Sequence, residues 1–428
     1  MELPHLLIEK SLQEVMKKNL SLSIFQHRDF RFFIVARFFM VLAVNIQATI
    51  VGWQVYELTG NVLDLGLVGL SEAVPSIMVA LFAGHLADLK DRRNIIVICL
   101  FFLVLCSLVL FLFVSHFSFI LEKWKAIPIF IVIFFSGIAR GFISPAIFSF
   151  VTQIVPRESY PQSAAWMGTS FQAGAVIGPA IGGLAYGTLG VQFAYGLDLF
   201  FITVPFLLFF WVKKRSLPER KEKEALFASL FKGLHFVLKN QIMLGAMALD
   251  MFAVLFGGAV ALLPVFAKDI LFVGSEGLGA LRAAPSFGAL VMAYYLTYKP
   301  PLFQSGKILL TSVLGFGVTM FVFGVSTSFW VSLGCLFLSG MFDSVSVVIR
   351  STIMQTMTPD EMRGRVSAIN KIFIGSSNEI GAFESGVSAK FLGPVGSVVF
   401  GGSMTIIIVL LSLRLAPKLK GLELKDWV

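Results

Sequence analysis

The feature that most constrains this chain is a succession of long apolar runs. An α-helix needs about 20 mostly apolar residues to cross the hydrocarbon core of a bilayer. Twelve such runs occur, at about residues 30–56, 62–87, 94–116, 127–154, 162–187, 191–212, 241–266, 273–297, 306–326, 328–356, 363–389 and 393–414. They are continuous and lack the alternation that a membrane β-barrel strand requires. The sequence therefore predicts an all-α membrane protein with twelve transmembrane helices.

Composition and the placement of charge agree with this prediction. Hydrophobic residues make up 57% of the chain and charged residues 14%, which is more apolar volume than a soluble chain of 428 residues can bury. Of the 34 Lys and Arg residues, 25 fall on one predicted side of the membrane and four on the other. The positive-inside rule then places both termini in the cytoplasm. The net charge of +9 is thereby explained, so a nucleic-acid partner is not expected.

An internal repeat divides the runs into two sets of six. Ser136-Gly137 recurs as Ser339-Gly340 and Gly183 as Gly386 at a constant shift, while Pro75-Ser76 recurs as Pro285-Ser286. We expect two pseudo-symmetric six-helix bundles, residues 28–212 and 241–414, with a cavity between them near the membrane midplane. A cytoplasmic segment 1–27, a linker 213–240 and a tail 415–428 complete the chain. The linker's apolar spacing predicts an amphipathic helix at the membrane interface, with a partner-binding helix as the alternative.

A motif at the end of the second run points to a family. The segment Gly84-His85-Leu86-Ala87-Asp88 is followed by Arg92 and Arg93. It resembles the signature loop between the second and third helices of the major facilitator superfamily, with Asp91 where the family usually has glycine. The resemblance implies a cytoplasmic gate in which Asp88 accepts hydrogen bonds from a helix N-terminus. Arg92 and Arg93 could instead be simple positive-inside anchors.

The start of the eleventh helix is the expected partner of this gate. Thr358 and Glu361 have the spacing of a capping box, in which a threonine hydroxyl and a glutamate three residues on satisfy the first backbone N–H groups.

The fifth run carries a glycine motif, formed by Gly174, Gly178, Pro179, Gly182 and Gly183. Glycines four apart allow close helix packing, and a proline bends the helix. Packing alone would explain them, but the full pattern resembles the motif of the superfamily's antiporters, which implies export driven by inward proton flow. The segment from Gly52 to Gly60 resembles the enterobactin-exporter branch and related efflux pumps.

Ionisable groups inside a membrane usually face a cavity or one another. The resemblance places the first, fourth, seventh and tenth helices around the cavity, which selects Arg140, Asp250 and Asp343, with Asn45 and Gln47 as hydrogen-bonding groups. We expect Asp343 or Asp250 to take up the coupling proton and Arg140 to tune it or to bind an anionic substrate. The alternative is a static ion pair between Arg140 and Asp343, which the repeat relates.

Other charges in the runs have less specific expectations. Glu72, Arg282, Glu379 and Glu384 lie on flanking runs, where pairing between helices and proton coupling are both open. Arg37 and Arg350 lie nearer the cytoplasmic side, where their side chains are expected to snorkel toward water.

Together these observations predict a secondary active transporter of a bacterial inner membrane. We expect a monomeric proton-coupled antiporter that exports a small organic molecule, siderophore or drug-like, by alternating access. An uptake symporter or lipid transporter is the first alternative, and a membrane sensor that binds without transporting is the second. No catalytic triad, metal-ligand set or phosphate-binding loop is found, so neither an enzyme, a metal site nor a cofactor is expected. The energy source would be the proton gradient.

Overall fold

The structure is a computed structural model that describes residues 24–215, 226–257, 259–359 and 362–426. Within these ranges the chain is helical and has no β-strand. The long helices are α1 Arg28–Thr59, α2 Val62–Leu89, α3 Arg92–Ser115, α4 Ile127–Ile154, α5 Tyr160–Leu189, α6 Val191–Leu208, α7 Gln241–Gly257, α8 Gly274–Tyr298, α9 Ser305–Val325, α10 Phe329–Met357 and α11 Arg363–Leu415. A short helix, Ser118–Trp124, precedes α4, and a linker helix, Leu226–Lys239, precedes α7.

Nine helical stretches among the described residues are long and apolar enough to cross a membrane, so the chain is a multi-pass membrane protein. The last of them, Phe373–Leu415, has 43 residues, which at about 1.5 Å per residue exceeds the roughly 30 Å of a hydrocarbon core. Gly393 breaks α11 within this stretch, with φ 74° and ψ 165°, and Pro394 follows it. That backbone conformation suits glycine, and it divides α11 into two limbs.

The observed helices coincide closely with the predicted runs. The run 127–154 is α4 in full, and the link between the first two runs forms as a tight turn. Gly60 ends α1 in the left-handed conformation, and the Asn61 side chain caps α2 by accepting from the Leu63 N–H at 3.1 Å. Short polar links of this kind reverse the chain between neighbouring helices.

The seventh run is the exception. The continuous run 241–266 becomes α7, a 3-10 turn Ala259–Leu262, a short helix Leu263–Val265 and a π-helical turn Phe266–Ile270. Pro264 lies in the irregular part, where its missing N–H cannot continue the helical hydrogen bonds. The prediction of one regular helix over this run is therefore wrong at its end.

The linker helix forms where the apolar spacing predicts it. Val237 is buried, and Leu234 and Phe236 pack on the same apolar core, which belongs to the helices after the linker. The side chains of residues 226–231 lie outside the part of the chain described.

Equivalent contacts recur in the two sets of helices that the repeat relates. Gly137 of α4 packs against α2, where a Cβ on it would lie 2.9 Å from Pro75 Cγ. Gly340 of α10 packs against α8, where a Cβ would lie 2.7 Å from Pro285 Cα. The pairs α2–α4 and α8–α10 therefore approach each other through repeat-related glycine and proline residues. One apolar core lies within the first six helices and another within the later helices, and a third includes Trp53 of α1 together with residues of the later set.

Candidate functional site

A first polar cluster lies among α1, α2, α3, α4 and α6. Arg140 forms an ion pair with Glu72 and donates a hydrogen bond to Gln47 Oε1 at 3.0 Å. The Gln47 amide in turn donates to Asp198 Oδ2 and to Ser107 Oγ, each at 3.1 Å. Five helices are thus tied together by one chain of polar contacts.

This first cluster is graded in burial. The side chain of Glu72 is 28% exposed and that of Arg140 is 16% exposed, whereas Asp198 is 1% exposed. A buried carboxylate is costly unless hydrogen bonds replace its water. Gln47 supplies such a bond, and the Ser107 hydroxyl supplies another.

Sequence reasoning missed Asp198. It is the single carboxylate of the sixth run, and that isolation was the available signal. Asp198 lies on α6, a helix that was not expected to line the cavity. Its connection to Arg140 through Gln47 was therefore not predicted.

A second polar cluster lies between α7 and α10. Arg350 forms an ion pair with Asp250, and both side chains are under 10% exposed, at 6% and 8%. The Arg350 Nε also donates to the backbone oxygen of Ser346 at 3.3 Å and to its hydroxyl at 3.2 Å. Asp343 interacts electrostatically with the same guanidinium. A small cavity between α7, α9 and α10 is lined by Asp250, Asp343 and Ser346 together with apolar side chains.

Two expectations about these charges are corrected. Arg350 does not snorkel, because its guanidinium is buried against Asp250. Arg140 and Asp343, expected to face each other, belong to separate clusters, since Glu72 takes the ion pair of Arg140. A static lock made by Arg140 and Asp343 is therefore not formed. The structure does bring Glu72, Arg140 and Gln47 together, and likewise Asp250 and Asp343.

The remaining candidate polar residues lie elsewhere. Asn45 donates to the Val41 carbonyl of its own helix at 2.9 Å. Arg37 donates weakly to the Met167 carbonyl at 3.5 Å. Glu384 is partly buried in α11, and Arg282 is partly exposed in α8. The side chain of Glu379 lies outside the described part.

The glycine motif of α5 has two faces. Gly174, Gly178 and Gly182 pack on α1, and a Cβ on Gly178 would lie 2.8 Å from the Leu42 carbonyl oxygen. Gly183 packs on α8, where a Cβ would lie 2.8 Å from Gly279 Cα. Pro179 contributes its carbonyl oxygen to this second contact. The stripe thus holds α5 to its own set of helices and also to the other set.

A second backbone contact joins the two sets at the same end. Gly386 of α11 packs on α2, with a Cβ position 3.0 Å from Gly66 Cα. Nearby, the Tyr56 hydroxyl donates to Asp269 across the two sets of helices. At the opposite end of α2 and α8, Phe82 is 72% and Tyr298 70% exposed. The two sets of helices therefore contact each other through their backbones at the Gly60 end.

The basic residues of the gate motif contact backbone carbonyls. Arg93 Nε donates to the Val212 oxygen at 2.6 Å and its Nη2 to the Phe209 oxygen at 2.9 Å, at the end of the helical segment that contains α6. Arg92 Nη1 donates to the Ser149 oxygen at 3.1 Å. Cations at helix C-termini satisfy free carbonyls and the helix dipole. The surroundings of Gly84 and the side chain of Asp88 lie outside the described part.

The Thr358 half of the predicted capping box is corrected. The Thr358 hydroxyl oxygen is buried and has no hydrogen-bond partner among the residues that the structure describes. The chain makes a turn closed by the Met362 N–H and the Pro359 oxygen at 2.9 Å, and α11 begins after it at Arg363. This turn separates Thr358 from the first free N–H groups of α11. Glu361 lies outside the described residues.

Comparison with known proteins agrees with this architecture. The profile of the family described as transmembrane secretion effector matches residues 20–426. The enterobactin exporter EntS of Shigella flexneri is 26% identical over 409 residues, covering 92% of this chain and 93% of that protein. EntS of Escherichia coli O1:K1 / APEC is also 26% identical, over 406 residues and the same shares of the two chains.

Solved structures with the same fold are transporters. A bacterial homologue of the human lysosomal transporter Spinster, in an inward-facing and unoccupied conformation, superposes with a TM-score of 0.67 at 14% identity over 94% of this chain and 98% of that chain. A POT family transporter in complex with 5-aminolevulinic acid gives a TM-score of 0.71 at 13% identity over 92% and 96% of the two chains. This chain therefore belongs to the transmembrane secretion effector family of the major facilitator superfamily, whose members are membrane transporters and not enzymes.

Proposed function

We propose that the protein is a proton-coupled antiporter that exports a small organic molecule, siderophore or drug-like, across a bacterial inner membrane. The EntS relatives, which match this chain over 93% of their own length, are enterobactin exporters. This favours export and a siderophore-like cargo. The observation that carries the coupling is the second polar cluster, where Asp250 and Asp343 share the single guanidinium of Arg350 beside a cavity.

The charge count of this second cluster suits proton exchange. With both carboxyl groups ionised, the cluster carries one net negative charge in a poorly hydrated site, which is unfavourable. Uptake of one proton by Asp343 or Asp250 makes the cluster neutral while Arg350 keeps its ion pair. Opening the cavity to water restores hydration and favours release of the proton. The sequence suggested that Arg140 tunes the proton affinity of these carboxylates. In this proposal Arg350 has that role.

We further propose that the helices form two six-helix bundles with twelve membrane crossings. The two limbs of α11 supply the last two crossings, and α7 with the turns up to Ile270 supplies the seventh. The linker helix separates the bundles in sequence, and the repeat-related contacts of Gly137 and Gly340 support their pseudo-symmetry. The bundle bounds are 28–212 and 241–414.

We propose alternating access by rocking of these bundles, which the contacts between them at the Gly60 end support. The distribution of Lys and Arg favours an orientation with the Gly60 end outside the cytoplasm and both termini inside. Contacts of Gly183 with Gly279 and of Gly66 with Gly386 close that outer end. The arrangement is thus the inward-facing one, and transport would require these backbone contacts to part. A single chain contains both bundles, so a monomer would suffice.

The test is transport in proteoliposomes with an imposed pH gradient, using enterobactin as the first cargo and a pH-sensitive dye to follow proton movement. The variants Asp343→Asn and Asp250→Asn are compared with the matched control Asp64→Asn, at the start of α2, where Asp64 is partly exposed. We expect gradient-driven transport to be lost in one of the first two and retained in the control. Because Asp250→Asn removes the ion-pair partner of Arg350, Asp250→Asn with Arg350→Gln is measured beside it.

The other outcomes separate the alternatives. Undiminished gradient-driven transport in both Asp343→Asn and Asp250→Asn would remove these residues as proton carriers. Cargo and protons moving in the same direction would indicate a symporter, and lysolipid flux would indicate a lipid transporter. Binding without flux would indicate a sensor. If enterobactin is not moved, comparing metabolites of a gene-deletion strain identifies the compound that accumulates inside cells.

A further inference from the structure

Arg282 of α8 is a membrane-embedded arginine that has no counter-ion among the described residues. Its Nε is buried without a hydrogen-bond partner, and among the described residues it takes part in no ion pair. Arg140 and Arg350 each have a carboxylate partner, and Arg37 has at least a backbone oxygen. A membrane cation with a buried, unbonded Nε and no counter-ion among the described residues is unfavourable, so its retention calls for a reason.

The repeat shows which partner Arg282 lacks. Glu72 and Arg282 are related by the shift of 210 residues that also relates Pro75 to Pro285, so the first bundle has an acid where the second has a base. Their repeat-related partners on α4 and α10 are Arg140 and Asp343, which are also opposite in charge. Glu72 and Arg140 form an ion pair.

The corresponding pair in the second bundle is not made. Asp343 lies instead with Asp250 and Arg350, where it interacts with the Arg350 guanidinium. Glu72 and Arg140 pair in the first bundle, but their repeat equivalents Arg282 and Asp343 do not pair in the second. The Arg282 guanidinium therefore lacks the carboxylate that the repeat would give it.

Arg282 lies where the two bundles meet. Its Nη2 is 3.7 Å from the place that a Cβ on Gly52 of α1 would occupy, and the Pro264 ring is 3.5 Å from the same place. Gly52 has no side chain to fill this space, and the Arg282 side chain remains partly exposed. A guanidinium offers several N–H donors in a planar fork that matches an oxyanion such as a carboxylate.

We propose that Arg282 binds an oxyanion of the transported molecule, so that the cargo is an organic anion whose charge replaces the missing protein partner. This inference rests on the proposed transport function. It assigns anion recognition to α8 of the second bundle, and it leaves Arg140 to its ion pair with Glu72. Because the site touches both α1 and α8, a bound anion would contact both bundles.

The test uses the full chain in lipid nanodiscs and two probes of the same shape, benzoate and its neutral analogue benzamide. A ligand that binds only the folded protein raises Tm with its concentration. We expect millimolar benzoate to raise the Tm of the wild type and of the control Arg37→Gln, and to leave Arg282→Gln unchanged. Arg282→Lys should keep part of the shift, and benzamide should have no effect on any of them.

Three results would overturn the proposal. These are equal benzoate shifts in the wild type and in Arg282→Gln, no benzoate shift in the wild type, or an equal shift with benzamide. Without any probe, Arg282→Gln should not lower Tm, because no ion pair is lost. Arg282→Gln and Asp343→Asn should then be additive, and strong coupling between them would mean that the two residues pair with each other instead.

Different results would contradict the anion site at Arg282 and the antiporter function. Proton-driven export that is unaffected by Arg282→Gln would remove the anion site and leave the antiporter. Absence of flux in the wild type with an intact benzoate response would remove the antiporter and leave an anion-binding membrane protein.

Discussion

The polar clusters of the two sets of helices contain the same charges but connect them by different ion pairs and hydrogen bonds. Each contains two carboxylates and one arginine. In the first, Gln47 stands between Arg140 and the buried Asp198, and Glu72 reaches partly exposed space. In the second, Arg350 contacts Asp250 directly, and the ion pair is buried. A bridged cluster spreads its charge over several helices, whereas a compact one concentrates it at a single pair, which makes its balance sensitive to one proton.

Removal of the cation from the compact cluster should have the largest effect on stability. Arg350→Gln leaves the buried Asp250 and the partly buried Asp343 without their counter-charge. Loss of one partner of a buried ion pair costs about 3–5 kcal/mol. We expect the largest loss of stability here, measured by thermal unfolding in detergent. The matched double variant, Arg350→Gln with Asp250→Asn, should recover much of it. A double variant no more stable than the single one would show that the ion pair is not what stabilises the fold.

The same change in the bridged cluster should be milder. Arg140→Gln removes the partner of Glu72, but this carboxylate is partly exposed and can recruit water, so we expect a loss of about 2 kcal/mol. Glu72→Gln made together with Arg140→Gln should restore part of it in the same unfolding measurement. A loss as large as that of Arg350→Gln would contradict the proposed difference between the clusters.

The bridge itself is tested by Gln47→Leu, which is similar in volume and removes the amide donor to Asp198. The substitution removes the bonds from Gln47 to Asp198 and Ser107 and the acceptor for Arg140. Because the Ser107 hydroxyl still serves Asp198 and Glu72 still pairs with Arg140, we expect a cost of about 1–2 kcal/mol. Asn45→Leu on the same helix is the control, since Asn45 bonds only the Val41 carbonyl of its own helix among the contacts seen. Equal effects of the two substitutions would mean that Gln47 is not a bridge.

The smallest effect is expected at Ser346 in the compact cluster. Ser346→Ala removes one of two acceptors for Arg350 Nε and leaves the backbone oxygen, so the expected loss is about 0.5 kcal/mol. Ser403→Ala, whose hydroxyl donates to the Val399 carbonyl of its own helix, is the control. A loss above about 1.5 kcal/mol for Ser346→Ala would show that the hydroxyl is central to the cluster.

Much of the fold was predictable because a bilayer imposes simple rules. Each crossing helix satisfies its own backbone hydrogen bonds, so run length alone locates helices such as α4. The links also follow local chemistry, as Gly60 and Asn61 show. The failures lie where local rules compete. Pro264 disrupts a run that hydropathy reads as continuous, and the turn at Pro359 displaces Thr358 from the helix that it was expected to cap.

The candidate site was less predictable, because the partners of a charge depend on how helices are rotated about their axes. The sequence singled out Arg140, Asp250 and Asp343 as costly groups in a membrane, and the structure brings Asp250 and Asp343 together. The pairing of Arg140 with Glu72, the connection to Asp198 and the burial of Arg350 required contacts between helices distant in the chain.

By itself the sequence determined the membrane class, the positions of the helices and the close-packing glycines, because apolar length and small side chains act locally. Which carboxylate neutralises which arginine depends on the tertiary structure, and among the described residues Arg282 has no such partner. Ion pairing is set by distances of a few ångströms between helices, and no pattern along a single helix fixes those distances.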